Sequence, residues 1–333
     1  MTYTRRDLGK VGLAALSGAR LWAKPNSKLG GVQVGLIAPY SFRAMADSNN
    51  ADALLKHIVE LGLSAVEMQS EPVEAFAGAP IVARTPPAGP PAGLPAGTRG
   101  AGPGGRPPLT PEQQAAARAA TEALRQWRLS ASMEKYRTLR KKYEDAGVTL
   151  DIVKFNLSAA MPDEEIDYCF QAAKALGCRF ITCEPPVSET KRIGQFAEKH
   201  RLRVGYHGHA NTTSPEAFGR PGAWEQAFFY SKYNGANVDI GHFTAGNSFS
   251  PASFIRQYHD RITNLHLKDR RKDQGPNVPW GQGDTAIREI LQMMKREKYD
   301  FMATIELEYP IPEGSDTLKE LAKCVQYCKE ALA

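Results

Sequence analysis

"TNLHLKD", Thr263 to Asp269, sets two leucines against a row of polar groups. Successive side chains of a strand point to opposite faces, so Leu265 and Leu267 share one face while Asn264, His266 and Lys268 share the other. The same parity recurs in five other runs. Ile305 and Leu307 oppose Glu306 and Glu308 in "TIELEY", Val66 and Met68 oppose Glu67 and Gln69 in "AVEMQS", and Ile181 and Cys183 oppose Glu184 in "FITCEP". In "VGYHGH" His207 and His209 share a face, and in "VDIGHF" Val238 and Ile240 leave Asp239 on the other, with His242 just beyond. Each polar group stands near the C-terminal end of its run. Six strands that hide one face and gather acids and imidazoles at one end of the other describe a sheet with a functional edge.

The rest of the chain closes that sheet. Runs at "VQVGLIAPY" and "VTLDIVKFN" bring the strands to eight, with helical patterns around 51–61, 112–146, 163–176, 188–200, 224–233, 250–258, 284–297 and 315–331. Strands alternating with helices imply parallel pairing. Eight such units predict an α/β protein, a single-domain (β/α)8 TIM barrel over residues 29–333. Its outward faces meet the helices, and its inward faces build a site at the C-terminal mouth. An open doubly wound sheet is the competing architecture.

Two segments stand apart from the barrel pattern. Residues 1–28 include "TRRDLGKVGLAALSGARLWA", whose paired arginines and modest apolar stretch read as a twin-arginine export signal and place the mature protein in the periplasm. A leader without that role would leave it cytoplasmic. Residues 77–110, saturated with Gly and Pro, read as a flexible, disordered insertion after the second strand. It ends at Thr110-Pro111-Glu112-Gln113, a capping box with proline at the first helical position. The net charge of +6 comes from these segments: five basic residues against one acid before residue 26, and three arginines against no acid in the insertion. The barrel itself is near neutral, so no nucleic-acid surface is expected. No apolar run reaches the ~18 residues of a membrane span, so no membrane insertion is expected. The five cysteines form no C-x-x-C pair and read as buried thiols.

Carboxylates converging on one mouth would repel and protonate. Histidines interleaved with them, without a run of lysines, point to a divalent cation opposite Asp239, with Mn, Fe, Co or Zn favoured over Ca or Mg. Asp239, His266 and Glu306, on consecutive strands, are the first ligands. Glu184, His207 and His209 stand open between ligand and other polar roles. Glu67 is divided between substrate contact and a structural polar layer, and Glu308 reads as a solvated carboxylate at the rim.

Taken in order, "YHGHAN", "VDIGHF", "NLHLKD", "WGQGD" and "IELEY" resemble the xylose isomerase-like barrel superfamily over about residues 33–330, leaving out the insertion. That superfamily contains sugar phosphate isomerases and epimerases, inosose dehydratases and type IV apurinic endonucleases. The resemblance implies metal ligation by Glu, Asp, His and Glu from the last four strands. By position these are His207 in place of the first Glu, then Asp239, His266 and Glu306. Either His207 ligates, or a neighbour such as Glu184 substitutes. His242, Lys268 and Asp269 are implied as substrate contacts, and Glu67 and His209 are grouped with them. The loop Trp280–Asp284 is implied to close over the substrate. The family's epimerases move protons with the first and last Glu, so here Glu184 and Glu306 are the expected catalytic residues.

The expected function is that of a metal-dependent sugar isomerase or epimerase, abstracting a proton beside the carbonyl of a keto sugar to give an enediolate. A keto-glycoside lyase or dehydratase shares that first step and then expels a β-substituent. A non-catalytic sugar-binding barrel is the reading from another class. Without a glycine-rich phosphate cradle, the expected partner is a small sugar lacking phosphate. A homo-oligomer is compatible with all of this.

Overall fold

The computed structural model describes residues 24–80 and 110–333. The export and flexible-insertion readings therefore rest on residues 1–23 and 81–109, outside the described residues.

Eight parallel strands form the barrel: β2 (Val32–Ala38), β3 (Ala65–Gln69), β4 (Thr149–Lys154), β5 (Phe180–Cys183), β6 (Arg203–His207), β7 (Asn234–Asp239), β8 (Ile262–Leu267) and β9 (Met302–Ile305). Each pairs with the next, and β2 pairs with β9 to close the ring. A two-residue strand, β1 (Lys28–Leu29), lies antiparallel on β2 and was not expected. Ser27, just ahead of it, is buried and donates its hydroxyl to Val34 O at 2.6 Å. The fold thus begins inside the stretch assigned to the leader.

Burial follows the parity of the sequence. Val66, Met68, Ile181, Cys183, Val238, Leu265, Leu267 and Ile305 join one continuous apolar layer between strands and helices. Inside the ring, Ala65, Ile152 and Met302 pack with Phe180 as a separate apolar plug. Room for it comes partly from Gly35, where a Cβ would stand 2.4 Å from Met302 Sδ. One step up each of these strands the interior turns polar. All five cysteines are buried free thiols.

Three local expectations need correction. A short helix, Ser70–Ala77, follows β3 before the insertion, so the insertion does not leave the strand directly. The helical pattern of 112–146 is two helices, Pro111–Ser130 and Glu134–Asp145. The break falls where two serines compete for backbone partners: Ser130 donates to Trp127 O, and Ser132 accepts from Glu134 N. The Thr110 capping box is present as expected. Finally, β7 stops at Asp239, and Ile240 opens a helix, Ile240–Asn247, instead of continuing the strand. Among the described residues, no helix is long and apolar enough to cross a membrane.

Candidate active site

Parallel register brings the mouth residues level. Asp239 lies opposite His266 across β7–β8, and Glu306 follows β9 with its N–H on Leu267 O at 3.0 Å. His207 ends β6, beside Asn237 of β7. One ligand atom from each of His207, Asp239, His266 and Glu306 falls within 4.8 Å of the others, and all four residues are buried. A second group, His207, His209 and His242, meets the same distance. His207 belongs to both.

The donor set suits a divalent cation. Burial, then the Lys154 ammonium, lowers the proton affinity of His207, so its ring is neutral and offers a lone pair. Among the described residues, its buried Nδ1 has no hydrogen-bond partner, and neither does Asp239 Oδ2. Buried acceptors of this kind are costly unless something positive meets them.

The structure supplies one positive group. Lys268, expected as a substrate contact, is 2% exposed, and its Nζ lies 2.9 Å from Asp239 Oδ2 and 3.0 Å from Glu306 Oε2. The contact with Asp239 is an ion pair without hydrogen-bond alignment. The same ammonium also bonds Glu308 and lies 3.2 Å from His242 Nε2. Glu308, read as a solvated rim group, is therefore drawn inward, and Tyr40 donates to its other oxygen at 2.7 Å. Burial raises the proton affinity of Asp239 to a pKa of about 6 although Lys268 opposes it. Glu306, despite burial, is held well below the usual carboxylate range by Lys268 and His266.

Of the two roles left open for Glu67, substrate contact and structural polar layer, its surroundings fit the second. It is fully buried, below the mouth, with Thr182 Oγ1 2.5 Å from Oε1, and Asn264 Nδ2 and His266 Nε2 each 2.7 Å from Oε2. It orients His266, whose Nδ1 faces Glu306 Oε2 at 2.7 Å. Burial alone would lower the His266 pKa, but Glu67 and Glu306 outweigh it and push it up to about 9.

Glu184 stands on the opposite wall, at the end of β5. Its Oε1 is 2.5 Å from Lys154 Nζ, and its Oε2 is 3.2 Å from His209 Nε2. Against the cost of burial, Lys154 and His209 keep it ionised far below the ordinary range. His209, half exposed, faces the opening, whereas His242 is buried, with Arg270 Nη1 2.6 Å from its Nδ1. Lys154 was missed. Its signal was present, since it has the inward parity of Ile152, but a lone lysine closing a strand also reads as a solvated end.

Asp269 corrects the last expectation. It is 2% exposed, and it accepts the N–H groups of Gly281 (2.8 Å), Gly283 (2.9 Å) and Thr285 (3.2 Å). It pins the loop around Trp280–Asp284 and is not free to meet substrate. Gly283 is required there, because a Cβ would stand 2.0 Å from Asp269 Oδ1.

A closed parallel barrel with imidazoles and carboxylates converging at its C-terminal mouth defines a class of site able to hold a cation beside proton-accepting groups. The family model for the xylose isomerase-like TIM barrel matches residues 113–328, and the chain belongs to that family. No curated protein matches it in sequence. Among solved structures, a 3-keto-D-glucoside 4-epimerase, YcjR, from E. coli is 9% identical with a TM-score of 0.56, covering 90% of this chain and 99% of that one. The probable 3-DHS dehydratase AsbF from Bacillus anthracis is 12% identical with a TM-score of 0.58, covering 89% and 98%. An IOLI protein with a binding zinc atom is 12% identical with a TM-score of 0.55, covering 91% and 99%. At such identities the likeness is one of fold.

Proposed function

We propose that this chain is a metal-dependent isomerase or epimerase of an uncharged keto sugar. The observation that carries this reading is the convergence of His207, Asp239, His266 and Glu306 within 4.8 Å. The zinc of the IOLI structure and the activity of the epimerase, on the same fold, support it. His207, Asp239, His266 and Glu306 would hold the ion. The ion, when bound, supplies positive charge beside the carbonyl oxygen, where negative charge develops as the neighbouring C–H proton leaves.

The remaining work falls to the side chains. Glu184 takes the α-proton on its carboxylate, and the C–H electron pair moves into the enediolate. Lys154 holds that carboxylate charged, and it becomes a stronger base once the ammonium turns toward a substrate oxygen. Glu306 follows β9, four strands from β5 in the eight-stranded ring. Glu184, once protonated, would return its proton to the neighbouring carbon to give the isomer, while epimerisation needs a proton drawn from solvent and delivered to the opposite face, on the side of Glu306. The sequence carries no glycine-rich phosphate-binding loop, which supports a substrate without phosphate.

The test is solvent isotope exchange. The purified, metal-loaded protein should incorporate deuterium from D2O beside the carbonyl of a keto sugar. Absence of exchange across a panel of keto sugars would leave a sugar-binding barrel as the better reading. Glu184→Gln should keep metal and lose exchange, and retained exchange would move the base to Glu306.

One observation favours a second reading, β-elimination from a keto-glycoside. Tyr40 donates to Glu308 at 2.7 Å, and burial with Glu306 and Glu308 nearby keeps its phenol protonated, an acid suited to a leaving oxygen. Ultraviolet absorption of an unsaturated ketone would reveal that route. The leader is taken as an export signal placing the protein in the periplasm, and a leader–reporter fusion retained in the cytoplasm would overturn this.

A further inference from the structure

Lys268 reaches the mouth from the end of β8 and touches two groups of partners. On one side its Nζ lies 2.9 Å from Asp239 Oδ2 and 3.0 Å from Glu306 Oε2, two members of the convergent four. On the other it bonds Glu308, outside that set, which Tyr40 holds from behind at 2.7 Å. With 2% of its surface exposed, the ammonium is largely shielded from bulk water. A divalent ion ligated by Asp239 and Glu306 would face this positive charge across the oxygens both contact, and in a buried site such repulsion is strong.

We propose that Lys268 is a built-in counter-cation that competes with the divalent ion for Asp239 and Glu306 and withdraws to Glu308 when the ion binds. This rests on the metal-site reading above. The arrangement gives the metal-free site charge compensation, so that a cluster of buried carboxylates does not unravel the mouth. It also sets metal affinity below what four such ligands would otherwise reach. Glu308, with Tyr40 behind it, is the receiving position, so its charge should matter to metal binding although it is not one of the four.

Two substitutions of opposite sign test the idea. Lys268→Met keeps the length of the side chain and removes the competing charge. Glu308→Gln removes the receiving charge and leaves the ammonium leaning on Asp239 and Glu306. Binding of Zn²⁺ and Mn²⁺ to folded protein, checked by circular dichroism, is measured by isothermal titration calorimetry. Lys268→Met should bind about tenfold tighter or more, and Glu308→Gln about tenfold weaker. A general loosening of the site would weaken both variants, and that result overturns the proposal, as does unchanged affinity in folded Lys268→Met. Should Lys268→Met fail to fold, Glu308→Gln decides alone: unchanged or tighter binding overturns the proposal. Binding by Lys268→Met but not by the natural chain would support the competition while removing the metal-dependent reading. Binding by neither folded protein overturns both.

Discussion

Glu67 Oε2 lies 2.7 Å from His266 Nε2, although 199 residues separate them. The contact joins the second strand of the barrel to the seventh through its interior. In the free site both carboxylates favour the protonated ring; a cation that displaced the Nδ1 proton would leave Nε2–H donating to Glu67 and Nδ1 as the lone pair on the side of Glu306. Glu67→Gln should therefore lower divalent-metal affinity by about 10- to 100-fold, as loss of a carboxylate behind a ligating histidine does, with the fold intact by circular dichroism. Unchanged affinity in calorimetry would show that the pair is only structural.

Asp239 has two functions. Its Oδ1 accepts the His242 N–H at 2.7 Å and caps the helix Ile240–Asn247, while Oδ2 faces Lys268. Asp239→Asn keeps the cap and loses the charge, so metal binding should disappear with little change in stability. Asp239→Ala should lose metal as well and cost a further ~1 kcal/mol from the missing cap. Urea unfolding of the two metal-free variants separates these effects.

The loop around Trp280–Asp284 depends on Asp269. Replacing it by alanine strips three backbone N–H groups of their acceptor, a cost of about 1–3 kcal/mol where such groups stay buried. Limited proteolysis should cut Asp269→Ala faster within residues 279–285 than the natural chain. Equal resistance would show that the loop is held by other contacts.

Arg128 clamps the helix Pro111–Ser130 to the barrel. Its Nε and Nη2 pair with Glu74 at 2.8 and 2.9 Å, and its Nη1 pairs with Glu165 at 2.6 Å, all three side chains being largely buried. Arg128→Ala leaves two carboxylates uncompensated and should destabilise the protein by ~3 kcal/mol or more. A smaller loss in urea unfolding would show that water reaches the site.

Asp167 sets one acid limit of stability. It accepts from Lys199 (2.6 Å), His200 (2.7 Å) and Gln171 (2.6 Å). Burial opposes its ionisation, but these partners prevail and lower its pKa to about 2. Because the folded value is the lower one, the stabilisation is present above the unfolded pKa of ~3.9 and is lost as pH falls toward 2. The stability difference between natural chain and Asp167→Asn should be about 1 kcal/mol at neutral pH, allowing for solvent screening, should shrink as pH falls below about 4, and should vanish only below about pH 2. A constant difference would exclude the carboxylate as its source.

Alternation along single strands was enough to separate Leu265 and Leu267 from His266, and Ile305 from Glu306. Parity is local, and a closed barrel converts it directly into inside and outside. The eight strands and the grouping of Asp239, His266 and Glu306 follow from that periodicity, whereas His207 joined them as a ligand only through the family resemblance. What faces what inside the ring depends on register, on side-chain reach across it, and on which oxygen is left free. Those are tertiary quantities. Only the folded chain sets the Lys268 ammonium beside Asp239, where the sequence suggested a cation, sinks Glu67 beneath His266, and turns Asp269 toward the loop. It also draws Glu308 inward and pairs Lys154 with Glu184. A long side chain at a strand end can point to solvent or fold back over the mouth, and the electrostatics of the assembled carboxylates decide between the two.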